Sequence, residues 1–272
     1  MTAQHNTDTP LRALVISGGG CKGAFAGGIA EYLLDQCCHD YQIFVGTSAG
    51  SLLVPLLALG ETQRLKAIFT SIRQRDIFSI SPFIIRKRKG LITYRINHLN
   101  TLRMFLLGKK TFGESKSLRR LIRRTFTRED YLRLRDSGKE VIVTAANLSC
   151  YTVEYQSVHE NSYEDFCDWM WVSANLVPFM SLVVKNGMEY ADGGFGNYLP
   201  LQEAIHRGAC EADAIILHPE QTALTCQLPV SNPFGLLFRT LSFMLEQISL
   251  DDLALGKLES KHQHVQLNCY HT

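Results

Sequence analysis

Ser48 stands in the run Gly46-Thr47-Ser48-Ala49-Gly50, a GxSxG pattern between an apolar stretch that reads as a strand and another that reads as a helix. Small residues on both sides of a serine let a strand turn abruptly into a helix. The hydroxyl is then exposed at a helix N-terminus, where negative charge is favoured. Such a hydroxyl attacks a carbonyl only if a neighbouring group takes its proton. Asp192 is one candidate base: it opens the run Asp192-Gly193-Gly194, whose permissive glycines let a strand-end carboxylate face another strand end. A histidine is the other. A Ser–acid–His order requires one after Asp192, and His218, at the end of an apolar run, is better placed than His262 or His264. Taken singly, each motif also has a plain structural role, Ser48 as a helix cap and Asp192 as a turn residue. The residues themselves leave a Ser–Asp pair and a triad both open.

A third run, Gly18-Gly19-Gly20-Cys21-Lys22-Gly23, satisfies GxGxxG between a strand and a helix. In a dinucleotide-binding unit the second strand then ends in an acid that holds the ribose. Here that strand runs Phe44-Val45-Gly46-Thr47-Ser48 and carries no carboxylate. What survives is a set of backbone N–H groups able to face an anion, either a phosphate or the oxyanion of a tetrahedral intermediate.

These residues need elements to position them. Residues 12–17 form a short apolar run ending in glycine, 24–34 have helical spacing, 42–45 form a second apolar run, and 51–59 form an apolar helix containing Pro55. Pro55 is expected to loosen or kink the first turns of its helix. Strand, glycine loop, helix, strand, tight turn, helix is the alternation of a mostly parallel sheet flanked by helices. Residues 80–113 resist assignment beyond loops and a helix over or beside the site. Downstream, 117–126 read as a basic helix, 140–147 and 151–157 as strands, the second nearer an edge, and 165–174 as a helix. A hairpin over 183–191 turns at Asn186-Gly187 and delivers Asp192. Residues 200–207 read as a helix and 212–218 as the last core strand. An amphipathic helix over 234–248 follows, with Phe234, Leu237, Phe238, Leu241, Leu245 and Ile248 on one face.

The chain has 272 residues, 46% hydrophobic and 20% charged, which fits one large α/β domain with its core over about 12–218 and a C-terminal helical extension over 219–272. The polar start has no signal-peptide pattern and no apolar run is long enough to cross a membrane, so a cytoplasmic location is the expectation, peripheral to a membrane or not. A non-classically exported effector would carry the same features. The eight cysteines show no metal-ligand spacing and read as reduced thiols, mostly small buried hydrophobes. No metal and no cofactor is expected. Net charge is +2, yet residues 86–139 hold 17 of the 28 Lys/Arg and only 4 of the 26 Asp/Glu, so +13 there against −11 elsewhere. Such a segment favours an anionic partner. Arg86, Lys87, Arg88 and Lys89, preceded by Phe83, Ile84 and Ile85, could rest on an anionic membrane, although a solvated basic face is an equal reading. No nucleic-acid-binding pattern accompanies them.

The three motifs, in this order and at these separations, resemble the patatin-like phospholipase family: a glycine-rich loop, a GxSxG turn close behind it, and DG[GA] far downstream. Further likeness runs over about residues 12–218, through Asp136-Ser137-Gly138-Lys139-Glu140-Val141, Ser173-Ala174-Asn175-Leu176-Val177-Pro178 and Asp192-Gly193-Gly194-Phe195-Gly196-Asn197-Tyr198-Leu199-Pro200. The resemblance implies a three-layer α/β/α fold with a mostly parallel central sheet. It also implies a Ser48–Asp192 dyad without histidine, an oxyanion hole in the Gly18–Gly20 turn with Lys22 at the family's basic position, and phospholipid or lysophospholipid as the substrate. An activating protein partner is compatible with it. A catalytically silent lipid-binding protein is the alternative. Two positions depart from the pattern: Ser17 stands where many relatives have Asp, and Pro55 lies behind the serine.

Overall fold

The computed structural model describes residues 10–88, 91–219, 229–230 and 232–272. Lys89 and Cys226 therefore lie outside the described residues. In chain order the elements are β1 (Arg12–Ile16), α1 (Gly23–Glu31), β2 (Ile43–Gly46), α2 (Ala49–Ala58), α3 (Thr62–Ser71) and α4 (Gln74–Ile77). A hairpin of β3 (Phe83–Arg88) and β4 (Leu91–Ile96) leads to α5 (His98–Leu106), α6 (Lys116–Thr125) and α7 (Arg128–Asp136). Then come β5 (Glu140–Asn147), β6 (Thr152–Ser157), α8 (Tyr163–Ser173), β7 (Val183–Lys185) and β8 (Met188–Asp192). The chain closes with α9 (Leu201–His206), β9 (Glu211–Ile216), α10 (Pro233–His262) and β10 (Gln266–His271).

The main sheet has the order β10-β9-β1-β2-β5-β8-β7, with β6 also paired to β5. Its β10, β9, β1, β2 and β5 are parallel, and β6, β7 and β8 join antiparallel, so the sheet is mixed. Side chains alternate along each strand between two buried layers. Leu14, Ile16, Phe44, Val141 and Val143 pack with α1, α2, α6 and α8 on one face. Ala13, Val15, Ile43, Val45 and Ile142 pack with Leu201, Ala204 and Ile205 of α9 and with Leu253 of α10 on the other. This is the three-layer α/β/α arrangement.

Two expectations change. The segment after residue 218 is not purely helical: β10 pairs in register with β9, so 212–218 is not the last strand of the sheet. Pro55 lies inside α2, which is continuous over Ala49–Ala58 and buried along nearly its whole length. The cysteines are mostly not core residues; of the seven described, only Cys167 is buried, while Cys21, Cys37, Cys38, Cys150 and Cys210 are exposed. Most of these exposed thiols lie in turns and at element ends rather than on core-facing positions. The 80–113 stretch resolves into the β3–β4 hairpin and α5. Among the described residues no helix is long and apolar enough to cross a membrane.

What anchors β10 is a carboxyl group inside the sheet. Asp213, in the middle of β9, is fully buried. Its Oδ2 accepts from Tyr41 Oη at 2.5 Å and lies 3.1 Å from His39 Nδ1. Its Oδ1 accepts from Asn268 Nδ2 at 2.9 Å and Tyr270 Oη at 3.3 Å. A buried carboxylate is tolerated only when its lone pairs are used in this way. One side chain thereby joins the loop before β2 to the C-terminal strand. Asp213→Ala leaves the buried Tyr41 hydroxyl and the half-buried Asn268 and Tyr270 donors without this acceptor. The variant is expected to lose on the order of 3 kcal/mol of unfolding free energy in urea titrations. A loss below about 1 kcal/mol would show that the cluster is not an anchor.

Candidate active site

Sheet order brings the chemistry together. β2 ends at Gly46 opposite Val143 of β5, and further along the same edge of β5 Ala145 pairs with Asp192 at the end of β8, the other edge being taken by β6. Ser48 follows β2 and Asp192 ends β8, so the two turns face each other on one edge of β5. Ser48 Oγ donates to Asp192 Oδ2 at 2.7 Å.

The turn that presents Ser48 is strained. Ser48 has φ 54° and ψ −115°, a region that a residue with a Cβ adopts only when its surroundings compel it. The surroundings do so through close approach: a Cβ on Gly50 would lie 2.3 Å from the carbonyl oxygen of Ile16. Around the serine, Ser48 N–H donates to Ser173 Oγ at 3.0 Å, and Ser51 Oγ donates back to the Ser48 carbonyl at 2.6 Å. Thr47 Oγ1 donates to the carbonyl of Asn197 at 3.0 Å. Ser48 itself remains partly exposed.

Asp192 is buried. Its Oδ1 accepts from Gly194 N–H at 2.9 Å, and its own N–H donates to the carbonyl of Asn175 at 3.0 Å. Asn175 is held in turn by Ser115 and by the carbonyl of Trp171. Gly193 passes so close to β5 that a Cβ there would meet the carbonyl oxygen of Thr144 at 2.3 Å. Burial pushes the Asp192 carboxyl up to about 7, against the hydrogen bonds from Ser48 and Gly194 that favour its charged form. A carboxyl with that pKa accepts a proton near neutrality much more readily than an ordinary aspartate does.

The glycine loop follows β1, the parallel neighbour of β2, so it lies beside the serine turn. Thr47 N–H donates to the carbonyl of Ile16, and a Cβ on Gly23 would touch that of Ala49 at 3.3 Å. The loop's amides are not equivalent. Gly18 N–H donates to the carbonyl of Tyr198, and the amides of Lys22 and Gly23 bond back to Gly19 and Gly20. Gly19 and Gly20 keep N–H groups with no hydrogen-bond partner among the described residues. Lys22 Nζ donates to the carbonyl of Leu217 at 2.9 Å and so ties the loop to the end of β9.

The histidine reading finds no support in the geometry. His218 Nδ1 lies 3.7 Å from Glu246 and its ring stands edge-on to Tyr198, with neither Ser48 nor Asp192 as a partner. Burial lowers its pKa. Among the described residues no group of three or more His, Cys, Asp or Glu side chains could hold a metal ion.

Two residues not singled out from the sequence hold these parts in place. The ring of Tyr198 fills the space between the glycine loop and the Asp192 turn, where a Cβ on Gly18 or Gly194 would sit 2.8 or 2.9 Å from it. Asp252 of α10 accepts from Tyr198 N–H at 2.6 Å and Leu199 N–H at 3.0 Å, with burial pushing its carboxyl up to about 6. Tyr198 was within sight as part of the run that begins at Asp192. Asp252 is one acid on a long amphipathic helix, and nothing in its spacing marks it.

Comparison with known proteins bears on this arrangement. A family described as patatin-like phospholipase matches residues 14–205. The uncharacterized protein YjjU of Escherichia coli (strain K12) is 26% identical over 222 residues, covering 79% of this chain and 54% of that protein. The crystal structure of VipD from Legionella pneumophila superposes with a TM-score of 0.50 at 14% identity, covering 85% of this chain and 53% of that one. The chain thus spans about half the length of these two proteins, and the VipD likeness is one of fold. The matched span contains the glycine loop, the serine turn and the Asp192 turn on their expected strands, and the chain belongs to the patatin-like phospholipase family.

Proposed function

We propose that the chain is a serine acyl hydrolase of phospholipid or lysophospholipid esters, with Ser48 as nucleophile and Asp192 as its base. The observation that carries this reading is the 2.7 Å hydrogen bond from Ser48 Oγ to a buried carboxyl whose pKa is raised to about 7. Family membership supports the reaction class.

Ionised Asp192 takes the hydroxyl proton as Ser48 Oγ forms a bond to the ester carbonyl carbon, and the carbonyl electrons move onto oxygen. The N–H groups of Gly19 and Gly20 stabilise that oxyanion, aided by the N-terminus of the helix behind Ser48. Collapse breaks the bond to the alcohol oxygen, which leaves with the proton held on Asp192. Water then gives its proton to Asp192 and attacks the acyl-serine, and the fatty acid departs as Ser48 recovers its proton. Each half-reaction uses the carboxyl twice, once as base and once as acid.

Ser48→Ala and Asp192→Asn are each expected to lower fatty-acid release from phospholipid vesicles by on the order of a thousandfold or more. His218→Ala is expected to leave the rate close to that of wild type. Loss of activity in His218→Ala with activity retained in Asp192→Asn would reassign the base, and full activity in Ser48→Ala would favour the silent lipid-binding alternative.

The pH profile follows from the direction of the Asp192 shift. Only the ionised carboxyl is a base, so kcat/KM should rise as pH passes through about 7 and level off above it. A carboxyl at its ordinary value would already have reached the plateau by about pH 5. A flat profile from pH 5 upward would contradict the assignment.

A further inference from the structure

α5 is turned inside out for a helix on a globular surface. Its buried residues are Thr101 and Met104. Leu99, Leu102 and Leu106, at helical spacing, face outward with Phe105 beside them, and Leu99 and Leu106 are each 80% exposed. A surface helix ordinarily buries such a stripe, and a contiguous exposed apolar patch marks an interaction site. In the strand before it Ile84 and Ile85 are also exposed, one on each face of the hairpin. The residues just before that strand are tied to the start of α5 by Asn97 N–H donating to the carbonyl of Pro82 and by Asn100 Nδ2 donating to that of Ser81.

Charge identifies the occupant. Residues 83–113 contain eight Lys or Arg and no Asp or Glu. Arg103 is exposed on α5 among the leucines. Lys109 and Lys110, just beyond the helix, pair with Glu114 and Glu189 while their side chains stay 45% and 70% exposed. Leucines that stand four-fifths clear of their neighbours offer no groove for a shape-matched protein surface. They suit shallow insertion into a fluid apolar layer, with the cations left at the level of anionic headgroups.

The patch is also linked to the Ser48–Asp192 site. Phe105 packs on Phe112 at 5.9 Å and Phe112 on Phe179 at 5.9 Å. Phe112 N–H donates to the carbonyl of Pro178, in the loop that begins at Asn175, whose carbonyl receives the Asp192 N–H. We infer that α5, with the exposed start of the hairpin, is the surface by which this protein docks on an anionic lipid bilayer, next to the loop that supports the base. The hydrolase reading makes a bilayer the natural location of the substrate, but docking does not require Ser48 to react.

The test is flotation of the full chain carrying Ser48→Ala, so that vesicles stay intact, with phosphatidylcholine vesicles containing or lacking phosphatidylglycerol. Binding should be at least about tenfold stronger with phosphatidylglycerol and should weaken as salt rises. Adding Leu99→Asp and Leu106→Asp should reduce it by on the order of tenfold. In the chain with Ser48 intact, the same two substitutions should leave the far-ultraviolet circular dichroism and the hydrolysis of water-soluble p-nitrophenyl butyrate unchanged. Equal binding by the Leu99/Leu106 variant, or no flotation on anionic vesicles, would overturn the proposal. So would a dimer in solution that the two substitutions dissolve. Hydrolysis of the soluble ester without flotation would refute docking and spare the hydrolase reading, whereas flotation without hydrolysis would do the reverse.

Discussion

The site depends on keeping one partly exposed hydroxyl in contact with one buried carboxyl. Ser48 and Asp192 are 144 positions apart in the chain and meet at 2.7 Å. The contact exists because β2 and β8 run toward each other along one edge of β5 and because the turns at their ends are drawn in without slack. Gly193 shows how tight this is, since any side chain there would strike the carbonyl of Thr144. The cost of enclosing Asp192 appears in its pKa: burial works against the charge, and the serine and the Gly194 amide return only part of that stabilisation. A carboxyl left in that balance is poised to exchange a proton near neutrality. The strained backbone at Ser48 belongs to the same arrangement, because a relaxed φ would carry the hydroxyl off the line to Asp192.

Much of this was legible in the sequence because the residues involved are constrained by backbone geometry, which leaves a local signature. A serine between glycines, a glycine run after an apolar strand, and an acid before two glycines each state a turn that few other residues could make. The strand–turn–helix rhythm of the first sixty residues was readable for the same reason. The choice between aspartate and histidine as partner of Ser48 was not, because it depends on which strand neighbours which, and that is a long-range property. Likewise β10 shows no strong strand pattern. It is recruited to the sheet edge by Asp213, a contact between residues some fifty-five positions apart. The cysteines misled because composition alone does not say whether a small apolar side chain falls on a core-facing position. α5 was hidden because its leucines sit at helical spacing whether the stripe faces in or out.

The C-terminal part of the chain lies beyond the matched span of 14–205, yet it reaches the site at several levels. Phe234 packs on Phe112, Phe238 on Phe179, Glu246 approaches His218, and Asp252 holds the backbone of Tyr198 and Leu199. The 197–199 segment bonds through its carbonyls to Gly18 of the glycine loop and to Thr47 of the serine turn. α10 is therefore linked to the glycine loop and the serine turn through one short piece of backbone, and its Asp252 carboxyl, pushed up to about 6, gives that hold its own sensitivity to acid. Helix and site form a single mechanical unit, although the sequence signature of the family ends before the helix begins.

The central claim is that Ser48 is a nucleophile activated by Asp192. The most direct measurement is intact-mass spectrometry with peptide mapping after treatment with a fluorophosphonate, in which the serine oxygen bonds to phosphorus and fluoride leaves. The account predicts a single adduct on the peptide containing Ser48, lost in Ser48→Ala, strongly slowed in Asp192→Asn and unaffected in His218→Ala. An unlabelled wild-type protein, or labelling of Ser48 at the same rate without Asp192, would contradict it.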